Sequence, residues 1–209
     1  MPIQLPLLEN EQYAWAHLQS LLQTQSDHFD TDFKNNIQHL AISSTYALNQ
    51  LCRTPALLGN LYKLKQFNLD QTTLTKASGQ TKEIGEIQKV LRQHRHAKLT
   101  EIIYLDVIGC MPLKQVLLHL SDLADQLIKC ALTAAERQLV TKHGQPVDID
   151  GKPITLNVIA MGKLGGRELN FSSDIDLICS YANEGDLSGY GHLAYQEFFT
   201  RVVKLLTKL

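Results

Sequence analysis

Apolar residues recur every three or four positions through most of the N-terminal two thirds of the chain, the spacing that places them on one side of a helix. Over 9–25 they are Tyr13, Ala14, Trp15, Leu18, Leu21 and Leu22. Over about 31–52 they are Phe33, Ile37, Leu40, Ala41, Tyr46, Leu48 and Leu51. Thr54-Pro55 predicts a helix start, because a threonine oxygen accepts from the first turn and proline has no N–H to leave unpaired there. The short helix that follows, Ala56 to Lys65, turns Leu57, Leu58, Leu61 and Leu64 inward. Residues 66–80 are polar and read as a linker with one turn in it. A longer helix is predicted from about 82 to 108, stopped by Gly109, and Pro112 starts another that runs to about His143 with Gly144 as its stop.

After Gly144 the pattern changes to short β-type runs. Asp150-Gly151, between Val147-Ile149 and Ile154-Val158, predicts a hairpin turn. The run from Ile154 to Met161 leads into a loop with Gly162, Gly165 and Gly166, and a second strand is predicted over Asp174 to Tyr181. Alternation along that strand puts Asp174 and Asp176 on one face and aims Ile175 and Leu177 at a core. Residues 183–191 read as loop and 192–209 as an amphipathic helix, in which the chain stops with no cap signal, as in a truncated piece. The predicted fold class is α+β: a helical region over 1–145, then the start of a small sheet over 146–209.

Composition narrows the function classes. At 44% hydrophobic residues the 209-residue chain can bury a sizeable core. A net charge of −1 argues against holding nucleic acid by bulk electrostatics, and the basic segment Lys89, Arg92, Arg95, His96 and Lys98 reads as a solvated helix face. The four cysteines are widely spaced and form no C-x-x-C pair, which predicts reduced, buried thiols rather than a disulfide framework or a zinc site. No signal peptide and no membrane-length apolar run is present, so a cytoplasmic location is expected.

Three motifs fail on chemistry. Gly162-Lys163 is followed by Leu164 rather than Ser or Thr, unlike a P-loop. Asp148-Ile149-Asp150-Gly151 lacks the later ligands of an EF-hand loop. No H-x-x-x-H pair exists, and His94 and His96 cannot face one ligand from a helix. What remains is the glycine loop with Asp174-Ile175-Asp176. Two carboxylates one residue apart on a strand can share Mg²⁺, which favours hard oxygen ligands and keeps waters. Glycines at 165 and 166 let backbone N–H groups approach phosphate, Ser172 and Ser173 stand just before the acids, and Lys163 and Arg167 add positive charge.

The string Gly162-Lys163-Leu164-Gly165-Gly166-Arg167-Glu168-Leu169-Asn170-Phe171-Ser172-Ser173-Asp174-Ile175-Asp176-Leu177-Ile178 closely resembles the signature of the bifunctional glutamine synthetase adenylyltransferase/adenylyl-removing enzymes. It also fits the wider nucleotidyltransferase pattern seen in DNA polymerase β. Weaker likeness extends to Arg53-Thr54-Pro55-Ala56-Leu57-Leu58 and to Leu91-Arg92-Gln93-His94-Arg95. The resemblance implies an N-terminal, adenylyl-removing half, which takes AMP from a tyrosine of glutamine synthetase by phosphorolysis and releases ADP. The other half of such enzymes adenylylates with ATP, and the PII signal protein and glutamine set the balance. It further implies that Asp174 and Asp176 are the catalytic, Mg²⁺-holding residues and that Gly165, Gly166 and Ser173 contact the adenylyl phosphate.

The family pattern has a third carboxylate on a later strand, in a stretch resembling D-M-R-L-R-P, and no such stretch occurs before Leu209. Weak or absent activity of residues 1–209 alone is therefore expected. Two other readings stand beside this one: a nucleotidyltransferase acting on a small molecule such as an aminoglycoside, and a non-catalytic helical module docking glutamine synthetase or the PII protein.

Overall fold

In the computed structural model the described residues are 9–24, 28–70, 74, 83–187 and 193–209. The linker reading over 66–80 falls largely outside them. Among the described residues the chain is mostly helical, with two small antiparallel strand pairs, an α+β fold as expected. It divides into two compact units, residues 1–68 with 96–116, and residues 69–95 with 117–209.

The first unit holds α1 (Glu9–Thr24), α2 (Thr31–Ser43), α3 (Thr45–Arg53) and α4 (Ala56–Lys63). The single helix expected over about 31–52 is two helices. Ser44 adopts an extended backbone (φ −148°, ψ 101°) and its hydroxyl accepts from the Ala47 N–H, so it ends α2 and caps α3 at one residue. Periodicity survives such a break because both helices bury the same kind of side chain. Asp30 works twice: one carboxylate oxygen caps α2 through the Phe33 N–H, and the other accepts from the Tyr62 hydroxyl. That places Tyr62 edge-on against Phe29 and Phe33, with ring centroids 5.2 and 5.0 Å away. Ile37, Leu40, Leu48, Leu51, Leu58 and Leu61 fill the core of this unit.

Two long helices, α5 (Ile84–Val107) and α6 (Leu113–His143), contribute to both units. Gly109 (φ +71°) stops α5: the Cys110 N–H reaches back to the Leu105 carbonyl and the Gly109 N–H to that of Asp106. Gly144 (φ +92°) closes α6 by donating to the Val140 carbonyl. On α5 Lys89 meets Glu86 and Lys98 meets Glu101. All four cysteines are free thiols, and Cys110, expected buried, is exposed between α5 and α6.

In the second unit the predicted hairpin around Asp150-Gly151 shrinks to one bridge, Val147 with Pro153. Proline at 146 and 153 removes two ladder donors, and the Asp148 carboxylate draws the Asp150 and Lys152 N–H groups into a local turn. The sheet that positions the site is β1 (Asn157–Ala160) paired with β2 (Leu177–Ser180), in register Asn157 with Ser180 through Ala160 with Leu177. Between them lies a single helical turn, α7 (Gly162–Gly165). The loop expected over 183–191 contains β3 (Asp186–Leu187), which pairs with β4 (Leu193–Ala194). Helix α8 (Tyr195–Leu206) then buries Tyr195, Phe198, Phe199, Val202 and Leu206 against Ala135, Leu139, Ile154 and Leu156.

Candidate functional site

Strand β2 begins at Leu177, three residues later than expected, so Asp174, Ile175 and Asp176 precede it. All three are exposed, and Ile175 does not enter a core. The cause is local. Asn170 gathers the chain just upstream: its side-chain oxygen accepts from the Ser172 N–H and the Ser173 hydroxyl (2.6 Å), and its own N–H donates to the Ser173 oxygen. The chain therefore leaves a tight turn at Ser173 and joins the ladder only where the Asp176 carbonyl accepts from the Met161 N–H (2.9 Å).

That last bond brings the glycine loop to the acidic pair. Gly162 follows Met161 in the left-handed region (φ +54°), and a methyl there would sit 3.7 Å from a carboxylate oxygen of Asp176. Gly162 is thus the glycine nearest the acids. Gly165 has a different reason to be glycine: a Cβ would lie 2.5 Å from the Ala160 carbonyl oxygen, so α7 packs backbone-to-backbone on β1. The Gly165 and Gly166 N–H groups are engaged inside the turn, with the Met161 and Gly162 carbonyls at 3.1 and 3.0 Å.

Of the cationic candidates, Lys163 is exposed with no carboxylate partner among the described residues. Arg167 is engaged. Its guanidinium donates to Asp122, and it lies 3.5 Å from Asp125, one turn further along α6. The Asp122 hydrogen bond, then the charges of Asp122 and Asp125, raise its pKa. Arg167 also has a left-handed backbone (φ 57°), rare for a residue with a side chain. Two residues on, the Leu169 N–H donates to the Ser121 hydroxyl, and Leu169 is buried.

The structure brings Gly162 to Asp176 and folds Ser172 and Ser173 into the Asn170 turn, with Asp174 following that turn in the exposed stretch before β2. It directs Arg167 to α6 instead. Sequence reasoning missed Ser121, Asp122, Asp125 and Asn170. Only Asn170 left a signal, since Asn-x-Ser-Ser is turn chemistry. Among the described residues no three Asp, Glu, His or Cys side chains gather to hold a metal ion. Asp174 and Asp176 make no ion pair among the described residues, and their exposed oxygens fit a hard divalent cation that keeps its waters.

The family model described as glutamate-ammonia ligase adenylyltransferase matches residues 34–209. The chain belongs to this family. Similar proteins named bifunctional glutamine synthetase adenylyltransferase/adenylyl-removing enzyme include one from Xanthomonas axonopodis pv. citri, 36% identical over 185 residues, covering 85% of this chain and 18% of the relative. One from Thioalkalivibrio sulfidiphilus is 43% identical over 123 residues, covering 59% of this chain and 13% of the relative. A third, from Shewanella woodyi, is 36% identical over 172 residues, covering 79% and 18%. The chain spans less than a fifth of the length of these curated relatives.

Proposed function

We propose that this member of the glutamate-ammonia ligase adenylyltransferase family carries a nucleotidyl-transfer site and acts in the adenylylation cycle of glutamine synthetase, in the direction that removes AMP. The observation that supports this best is the family match across residues 34–209, which contains the whole glycine loop and both acids. On this reading residues 146–209 form the start of a DNA polymerase β-like sheet and residues 1–145 a helical region in front of it. Orthophosphate attacks the adenylyl phosphorus, the bond to the tyrosine oxygen breaks, and ADP leaves.

Asp174 and Asp176 would hold Mg²⁺, with waters and phosphate oxygens as the remaining ligands. The bound cation supplies charge stabilisation at the phosphorus and at the departing tyrosine oxygen. Lys163, exposed on α7, offers a point charge to phosphate, and the Ser172 and Ser173 hydroxyls lie beside the acids. Gly165 shapes the loop by close packing, and the engaged N–H groups of Gly165 and Gly166 favour a structural role over direct phosphate contact. Glutamine synthetase is the proposed protein substrate, the PII signal protein the proposed regulator, and the cytoplasm the proposed location. No helix among the described residues is long and apolar enough to cross a membrane.

The test pairs binding with turnover. Calorimetric titration with Mn²⁺ is expected to show a site that is lost in Asp174→Asn with Asp176→Asn, a near-isosteric removal of two charges. In the longer enzyme that contains this chain, with adenylylated glutamine synthetase, orthophosphate and Mg²⁺, ADP release is expected to fall at least ~100-fold in that variant, while glutamine synthetase is still bound. ADP release at an undiminished rate in the double variant would overturn the assignment.

A further inference from the structure

We propose that Asp122 and Asp125 of α6, with Arg167, form a clamp that positions the glycine loop against the acidic pair. All three are positioning residues of the site proposed above, and the inference rests on that reading for its catalytic consequence only. Arg167 stands in a backbone conformation that glycine tolerates and other residues resist. Gly166, which would accept that conformation freely, precedes it at φ −78°. A strained residue persists where its surroundings over-determine it, and here they do.

The planar guanidinium reaches two carboxylates three residues apart on one face of α6. The same stretch of helix supplies a third tie, the Ser121 hydroxyl accepting from the Leu169 N–H. Leu164 and Leu169, both buried, bracket the segment. The segment's first residue, Gly162, rests against Asp176, and its last leads into the Asn170 turn that delivers Asp174. The distance from loop to acids is therefore set through α6, by residues that touch neither phosphate nor metal.

Two sets of variants separate this from a direct phosphate contact by Arg167. In Asp122→Asn with Asp125→Asn, amide exchange at Arg167, Glu168 and Leu169 is expected to quicken about three- to tenfold, the range for losing two partly exposed ion pairs. Misplacement of the loop is expected to lower kcat for AMP release ~10- to 100-fold, with KM for orthophosphate within about threefold. Arg167→Gly is expected to show the same exchange and the same kcat loss, and Arg167→Lys an intermediate one, since it keeps the charge without the fork. Wild-type exchange in the Asp variants overturns the clamp, whatever reaction the site performs. So does an orthophosphate KM raised tenfold or more in Arg167→Gly while the Asp variants keep wild-type kinetics, because Arg167 would then bind phosphate itself. With kinetics read in the longer enzyme that contains this chain, failure of the nucleotidyl-transfer reading alone would appear as that wild-type enzyme without ADP release, with the exchange result intact.

Discussion

Replacing Gly165 with alanine tests the packing of α7 on β1 directly. The added methyl lands 2.5 Å from the Ala160 carbonyl oxygen and 3.2 Å from its carbon, where ordinary contact begins at 3.4 Å. The turn must then back away from the strand by about 0.9 Å, which loosens contacts along both backbones. Overpacking costs ~1–3 kcal/mol, and backbone against backbone lies at the upper end because neither side has a rotamer to change. Alanine returns up to ~1 kcal/mol of helix preference, leaving a net loss of about 1–2 kcal/mol. For a protein of this size that corresponds to a fall in Tm of about 2–8 °C. Gly59→Ala is the control: Gly59 lies inside α4 with nothing within 4 Å of a Cβ. It is expected to gain ~0.5–1 kcal/mol. Both are read by urea denaturation followed by circular dichroism. Gly165→Ala at or above wild-type stability would refute the close approach and the reason given for that glycine.

Two other outcomes follow from polar groups in the second unit, one half-buried and one buried. Burial raises the Glu136 carboxyl above its ordinary 4.5, against the opposing pull of the Leu156 N–H that it accepts. Because the folded state holds this proton more tightly than the unfolded chain, its contribution to stability is complete below 4.5 and declines as pH rises through the raised value. Glu136→Gln keeps an acceptor without the charge, so its urea midpoint should rise relative to wild type between about pH 4 and about pH 7. A constant difference across that range would show that the carboxyl is not perturbed. The Tyr195 hydroxyl donates to the Val147 carbonyl (2.9 Å) and accepts from the Val147 N–H (3.1 Å). Tyr195→Phe is expected to cost ~1–2 kcal/mol and to expose the Val147 amide to exchange; unchanged stability together with unchanged exchange would contradict it.

Much of this protein is legible in its sequence. Helical periodicity locates α1 and the four helices from α4 to α6 and α8, because burying one face of a helix requires that spacing. Gly109 and Gly144 stop their helices for a reason written in the residue itself, as positive φ costs glycine nothing. The string around Asp174-Ile175-Asp176 marks the family, and the family match covers it. What the chain alone could not show lies where one residue serves two partners or where distant segments meet. Ser44 splits a helix by satisfying both of its ends. Asp174 and Asp176 leave the strand because Asn170, four residues before Asp174, holds Ser173 in a turn. Gly162 meets Asp176, and Arg167 meets Asp122 and Asp125, more than forty positions away. Such contacts carry no periodic signature, since a pairing across a fold depends on where two backbones are brought together and not on the spacing along either one. The sequence by itself located most of the helices and singled out the glycine loop with its acids as the candidate site. Only the tertiary structure decided which glycine faces the carboxylates and which helix holds the loop to them.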